Sequence, residues 1–129
     1  MDRSKEKGFG RRALTVPVTK YGNRKTEAFG IVFDSKREAD RYLELRLLER
    51  AGEITELQRQ VPFELIPPQK FRGKKIRAVS YIADFTYRDR DENLVVEDAK
   101  GYRKGAGYEV YNIKKKLMLY RHGIMVREV

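Results

Sequence analysis

The sequence predicts a mixed α/β domain whose core elements run helix, strand, strand, strand, helix, strand. Two segments have apolar residues at helical spacing and end at a glycine, over residues 35–52 and 108–123. Apolar segments separated by clusters of Gly, Pro, Asp and Asn predict the strands. A chain of 129 residues with 40% hydrophobic residues is expected to form one domain with a single core.

The composition favours a polyanionic partner. The formal net charge is +10, from 29 Lys and Arg against 19 Asp and Glu, which suits nucleic acid or an anionic membrane surface. The chain lacks cysteine, which excludes disulfides and zinc sites built on cysteine. With no apolar run of spanning length and no signal-peptide pattern, a soluble, cytoplasmic protein is expected.

The charge is concentrated near the N-terminus. Residues 1–25 contain eight Lys and Arg but only Asp2 and Glu6 as acids, and have little apolar periodicity. They predict a flexible basic arm ahead of one domain over 26–129. The next stretch, TEAFGIVFDS, alternates apolar residues around Phe29-Gly30 and predicts a short hairpin or an extended entry segment.

The first helix is predicted to begin at Ser35. The run Ser35-Lys36-Arg37-Glu38 fits a capping box, and Gly52 fits a C-terminal cap. Two apolar stripes are available to this helix: Leu43, Leu47 and Ala51, or Tyr42 and Leu45.

Three strands are predicted to follow. ITELQRQVPFELI is expected to be broken or bent at Pro62, and a basic loop over residues 69–75 comes after Pro67-Pro68. IRAVSYIADFTYR and LVVEDAKG are the next two strands, with a turn over residues 89–93 between them. A glycine-rich basic loop, GYRKGAG, separates them from the second helix.

The second helix is predicted from an apolar stripe and a glycine cap. Its expected buried face is Val110, Ile113, Leu117 and Tyr120, and Gly123 ends it. A short final strand over IMVREV completes the predicted order.

The predicted hairpin between the second and third strands carries the candidate chemistry. Asp98 and Lys100 lie two residues apart and so share a face of a strand. If the strands pair about the turn near Asp91, Asp84 lies opposite Asp98 with the Cβ atoms about 5 Å apart. A register shift of one residue would separate the two carboxylates.

Two facing carboxylates among apolar neighbours repel each other, and a divalent cation offsets that repulsion. Hard oxygen ligands suit Mg²⁺ or Mn²⁺, and Lys100 adds a positive charge on the same face. Such a set would polarise a phosphodiester and activate water. In the structural alternative, Asp84 pairs with Lys100 or Arg77, and Asp98 is a solvated strand end.

Two glutamates are weaker candidates. Glu38 is explained as a capping-box residue, but it also heads the stripe of Tyr42 and Leu45, which would point it inward toward the sheet. An inward carboxylate needs a cation or several donors. Glu97 points away from the Asp98 face in a regular strand and ranks below Asp98 as a ligand.

Helical Glu38, Asp84 in YIADF and Asp98-Ala99-Lys100 in VVEDAKG together resemble the PD-(D/E)XK nuclease superfamily. Over residues 21–129 the chain looks more closely like a small phage-associated family related to Holliday junction resolvases. The resemblance implies a restriction-endonuclease-like core, with a mixed sheet flanked by helices. The chain departs from the superfamily motif at Ala83, which stands where the motif has proline.

The resemblance also implies an activity and its residues. Asp84, Asp98 and the main-chain carbonyl of Ala99 would hold Mg²⁺, for which Mn²⁺ substitutes, Glu38 would complete or flank the site, and Lys100 would serve the attacking water. The implied reaction is hydrolysis of DNA phosphodiester bonds, in branched or structured DNA, in the bacterial host cytoplasm if the protein is phage-encoded. Junction cleavage would imply a homodimer.

The basic clusters predict the DNA contacts. We expect backbone and shape recognition rather than reading of base edges, through Lys20, Tyr21, Arg24, Lys25, Lys70, Arg72, Lys74, Lys75, Arg103, Lys104, Lys114 and Lys115. Three alternatives stay open: an inactive nucleic-acid-binding accessory protein of the same fold, an RNA-binding or ribosome-associated protein, and a membrane-surface protein. The last is disfavoured because neither predicted helix has a clean basic amphipathic face.

Overall fold

A computed structural model describes residues 25–100 and 104–129 of the chain. The strands and helices, in chain order, are β1 (Thr26–Ala28), β2 (Ile31–Phe33), α1 (Lys36–Arg50), β3 (Thr55–Ile66), β4 (Gln69–Phe71), β5 (Lys74–Ile76), β6 (Val79–Arg88), β7 (Leu94–Asp98), α2 (Ala106–His122) and β8 (Arg127–Glu128). The chain forms two compact units, Met1–Glu44 and Leu45–Val129, and α1 begins in the first and ends in the second.

The described part of the first unit is a hairpin followed by a capped helix. Strands β1 and β2 pair antiparallel around Phe29-Gly30, which both have positive φ. The Tyr42 ring packs against Phe33, with ring centroids 5.3 Å apart. The Glu38 N–H donates to Ser35 Oγ at 3.1 Å, which confirms Ser35 as the cap of α1.

The second unit contains a mixed four-stranded sheet. Its strand order is β3-β6-β7-β8, with antiparallel pairs up to β7 and a parallel pair between β7 and β8. The main chain of Val129 extends the last pair, donating to Asp98 O at 3.0 Å and accepting from Lys100 N at 3.3 Å. The predicted mixed α/β class and the order of its six core elements are confirmed.

Pro62 does not break β3. The β3–β6 ladder continues through Pro62 opposite Ile82, and its register shifts lie at Thr55/Gln58 and Glu64/Ile66. The proline is compatible with this position because β3 is the edge strand of the sheet, where a residue can point its N–H side away from the neighbouring strand.

The segment predicted as a basic loop is a second hairpin. Strands β4 and β5 pair antiparallel across the two-residue turn Arg72-Gly73, and both turn residues have positive φ. This is the turn geometry that matches the twist of paired strands. The loop prediction was wrong because the strands carry no apolar alternation, only exposed basic and polar residues around Phe71 and Ile76.

Both helices bury a face other than the most apolar one. In α2 the buried residues are Tyr111 and Met118, while Val110, Ile113 and Tyr120 of the predicted stripe are exposed. The inward stripe of α2 also contains Lys115, whose ammonium binds Glu128, so a count of apolar residues misses it. In α1, Tyr42 and Leu45 are buried, whereas Leu43, Leu47 and Ala51 are exposed.

The core of the second unit lies between the sheet and α2. It consists of Leu65, Tyr81, Ala83, Val96, Tyr111, Met118 and Val126. Gly123 ends α2 as predicted, in the left-handed conformation with φ 69°. Within residues 25–100 and 104–129, no helix is long and apolar enough to cross a membrane.

Candidate functional site

The β6–β7 ladder has the register that the sequence predicts. Phe85 pairs with Glu97 and Thr86 with Val96, and the ladder ends at Phe85 and Glu97; continued by one residue, this register would bring Asp84 opposite Asp98. Asp84 Oδ2 accepts a hydrogen bond from the Ala99 N–H at 2.8 Å. The Asp84 carboxylate therefore lies against the main chain that immediately follows Asp98.

Asp98 is a buried carboxylate with a partner for each oxygen. Its relative exposure is 4%. The Tyr81 hydroxyl donates to Oδ1 at 3.0 Å, and Lys100 Nζ lies 2.9 Å from Oδ2. Among the described residues Oδ2 accepts no hydrogen bond, so its contact with Lys100 is an ion pair. The alternative of a solvated strand end at Asp98 is wrong.

The Lys100 ammonium is held between a carboxylate and an aromatic face. Its Nζ lies 4.1 Å from the centroid of the Tyr111 ring, in addition to its contact with Asp98. Lys115 Nζ lies 5.7 Å from the same ring and 2.9 Å from Glu128 Oε2. Tyr111 is thus flanked by two ammonium groups, and cation–π attraction to its face helps to fix Lys100.

Asp84 is the more accessible of the two aspartates. It is half-buried, and Gln60 Nε2 donates to its Oδ1 at a long 3.5 Å. Gln60 lies at the position of β3 opposite Asp84 and has φ 51°, a conformation that costs energy in a residue other than glycine. The site therefore combines one anchored carboxylate, Asp98, with one that solvent reaches.

Two tyrosines beside the site are neutral, and one of them, Tyr81, donates a hydrogen bond to Asp98. Burial, followed by the negative charge of Asp98, raises the pKa of Tyr81 far above its usual range. The same two causes raise the pKa of Tyr111. Both hydroxyls therefore keep their protons at neutral pH. No sequence pattern marks either tyrosine as a site residue, although Tyr81 belongs to the YIADF motif.

Glu38 and Glu97 are both buried, in different surroundings. Glu38 lies in the first unit and is buried, with a relative exposure of 3%, and its orientation toward the sheet and its place beside Asp84 and Asp98 stay predictions. Glu97 is fully buried in the second unit, where the Tyr87 hydroxyl donates to Oε2 and Arg127 Nη1 is 4.0 Å away. Its partners differ from those of Asp98.

The predicted nucleic-acid contacts are distributed over several elements. Lys20, Tyr21, Arg24 and Arg103 lie outside the described residues, as does the predicted arm except for Lys25. Lys25 Nζ is 3.3 Å from Asp34. The residues on β4, β5 and their turn are all exposed: Lys70, Arg72, Lys74 and Lys75. Lys104 is exposed as well, whereas Lys114 and Lys115 are half-buried on α2.

The aligned oxygens fit a hard divalent cation by their chemistry. The described residues contain no group of three or more His, Cys, Asp and Glu that could hold a metal ion. Mg²⁺ is commonly bound by one or two carboxylates together with waters and substrate phosphates, and Asp84 with Asp98 supplies such a pair. Lys100 Nζ contacts Asp98 at 2.9 Å. Binding of the metal stays a prediction.

The chain belongs to the family described as Protein of unknown function (DUF1064), which matches residues 18–128. No curated protein and no solved structure matches the chain. The family match covers every residue of the candidate site described above.

Proposed function

We propose that this member of the DUF1064 family is a Mg²⁺-dependent endodeoxyribonuclease of the PD-(D/E)XK type. Its substrate would be branched or otherwise structured DNA, as in relatives of Holliday junction resolvases. One observation carries the proposal: Asp84 Oδ2 accepts a hydrogen bond from the N–H of Ala99, the residue after Asp98, and Lys100 Nζ lies 2.9 Å from Asp98. These contacts involve Asp84 within β6, Asp98 at the end of β7, and Lys100 just after β7.

Each residue has a role in the proposed reaction. Asp84, Asp98 and the Ala99 carbonyl would hold Mg²⁺, with Glu38 completing or flanking the site. The bound ion would polarise a phosphoryl oxygen and lower the pKa of a bound water. Lys100 is cationic and can only donate, so it would orient the attacking water or stabilise negative charge that develops on the phosphate.

Tyr81 and Tyr111 support the proposed reaction because they fix the Asp98 carboxylate and the Lys100 ammonium in place. Tyr81 holds one oxygen of Asp98, and the Tyr111 ring lies beneath the Lys100 ammonium. Because both contacts exist in the protein without substrate, the site would need little reorganisation when DNA binds. Such preorganisation is how fixed charges become effective in catalysis.

Net charge supports DNA as the polyanion. The formal charge of +10 favours phosphate binding. The exposed basic residues of β4 and β5 would contact the DNA backbone, and a homodimer would allow two symmetric cuts at a junction.

The test is a cleavage assay on plasmid and on synthetic four-way junctions, with Mg²⁺ or with EDTA. We expect metal-dependent cleavage by the natural protein and losses of about 100-fold or more in Asp84→Asn and in Lys100→Met. Asp91→Asn, in the exposed turn of the same hairpin, is the matched control and should cleave normally. Full activity in Asp84→Asn would refute the proposal.

A second candidate function is DNA binding without cleavage. It is favoured by the satisfaction of Asp98, whose oxygens already contact Tyr81 and Lys100. A binding module would show tight, salt-dependent association with junctions and no product in Mg²⁺ or Mn²⁺.

A further inference from the structure

The hairpin of β4 and β5 has an unusual charge for a structural element. Together with Arg77 it is called the basic ribbon here, residues 69–77. It carries five basic residues, Lys70, Arg72, Lys74, Lys75 and Arg77, and the sequence has no Asp or Glu from residue 65 to residue 83. All six residues of its two strands are exposed. Burial of apolar surface therefore contributes little to holding it.

The pairing within the basic ribbon opposes two like charges. Lys70 is the direct cross-strand partner of Lys75. Like charges in this position destabilise a pair of strands, and an isolated two-stranded hairpin is only marginally stable in water. An anion bound between the two ammonium groups would remove the repulsion. Phosphate groups along a nucleic acid backbone are anions of this kind.

The tip of the basic ribbon presents an aromatic ring. Phe71 is in the last pair before the turn and is 62% exposed. The guanidinium carbon of Arg72 lies 5.1 Å from the centroid of the Phe71 ring. Phenylalanine rings and arginine guanidinium groups are the surfaces on which proteins stack unpaired bases.

We propose that the basic ribbon is a nucleic-acid-binding arm in which Phe71 stacks on an unpaired base while Lys70 and Lys75 bind the flanking phosphates. Its target class is DNA that has an unstacked base beside a duplex. The inference rests on the proposed function for its choice of DNA. A membrane surface is disfavoured because the ribbon exposes only Phe71 and Ile76 as apolar side chains, and membrane binding needs a wider apolar face.

A single fluorescent reporter tests the stacking. The sequence contains no Trp, so Phe71→Trp introduces the only indole. In EDTA, which prevents cleavage, we expect DNA with a three-nucleotide bulge to quench this fluorescence and a blunt duplex of equal length to quench it far less. Tyr120→Trp, at a side chain 87% exposed on α2, is the control and should respond equally to both DNAs. Quenching by anionic phosphatidylserine vesicles but not by DNA would overturn the inference.

Affinity measurements test the two parts of the ribbon separately. Phe71→Ala should weaken binding of the bulged DNA by about 5- to 100-fold, as expected for loss of one stacked base, and change duplex binding less than about twofold. Lys70→Gln/Lys75→Gln should reduce the salt slope of duplex binding by about 1.8, from two lost phosphate contacts. The control with the same charge change, Lys116→Gln/Arg121→Gln on α2, should leave the preference for bulged DNA intact.

The binding and cleavage results distinguish failure of the ribbon inference from failure of the proposed nuclease activity. An unchanged preference for bulged DNA in Phe71→Ala would overturn the ribbon inference even if cleavage in Mg²⁺ proceeds. Absence of cleavage by the natural protein would overturn the proposed activity, while the binding results in EDTA still decide the ribbon inference. Urea unfolding of each variant verifies folding; because all ribbon strand residues are exposed, we expect no variant to have a lower midpoint than the natural protein.

Discussion

Replacing Lys100 with methionine tests whether the Asp98–Lys100 pair is the structural centre of the site. Methionine keeps most of the length of the side chain but removes the ammonium that lies 2.9 Å from Asp98. Asp98 is only 4% exposed, so water would solvate its carboxylate poorly once the Lys100 ammonium is removed. Breaking a buried ion pair from one side costs about 3 kcal/mol of unfolding free energy. The lost contact with the Tyr111 ring adds about 0.5 kcal/mol.

The measurement is a double-mutant cycle by urea unfolding. We expect Lys100→Met alone to be the most destabilised protein. In Lys100→Met/Asp98→Asn the unpaired charge is absent, so the coupling free energy should reach about 2 kcal/mol. Lys36 and Asp40 form a matched exposed pair at 2.8 Å, and their cycle should give about 0.5 kcal/mol or less. The reasoning is refuted if both cycles return the same small coupling, because burial would then have no effect on the pair.

Two further predictions concern the Tyr81 hydroxyl and the binding of Mn²⁺. Tyr81→Phe removes the donor to Asp98 and should cost about 1–3 kcal/mol at pH 7. Because the pKa of Tyr81 is raised, the folded protein keeps this proton, whereas the unfolded tyrosine ionises above about pH 10. Above that pH the natural protein therefore loses stability through this group. The difference in unfolding free energy between the natural protein and Tyr81→Phe should then shrink by about 1.4 kcal/mol per pH unit, measured by urea titrations. A deficit that is constant with pH would contradict this assignment. Free Mn²⁺ at 100 times its Kd should stabilise the natural protein by about 2.7 kcal/mol, measured by thermal unfolding. Asp91→Asn is the control and should be stabilised equally. Equal stabilisation of Asp84→Asn would show that the ion binds elsewhere.

The register between β6 and β7 was predictable because it depends on local geometry. A short polar turn over residues 89–93 joins two strands, so counting outward from the turn gives the register. The helix caps at Ser35 and Gly123 were predictable for the same reason, since each depends on hydrogen bonds within a few residues.

Other features depend on contacts that a sequence pattern does not encode. The α2 face that packs inward includes Lys115, whose charge is compensated by Glu128 from β8. The partners of Asp98 and Lys100 include Tyr81 and Tyr111, two aromatic residues that the sequence does not distinguish from other core residues. The basic ribbon escaped prediction because charged strands lack apolar periodicity.

Main-chain hydrogen bonds from Val129 hold the chain on both sides of Ala99. They join Val129 to the carbonyl of Asp98 and to the N–H of Lys100, and the Ala99 N–H binds Asp84. These three hydrogen bonds hold the main chain from Asp98 to Lys100 without using the Ala99 side chain. A substitution at Ala99 therefore removes none of them directly, whereas loss of Val129 removes two.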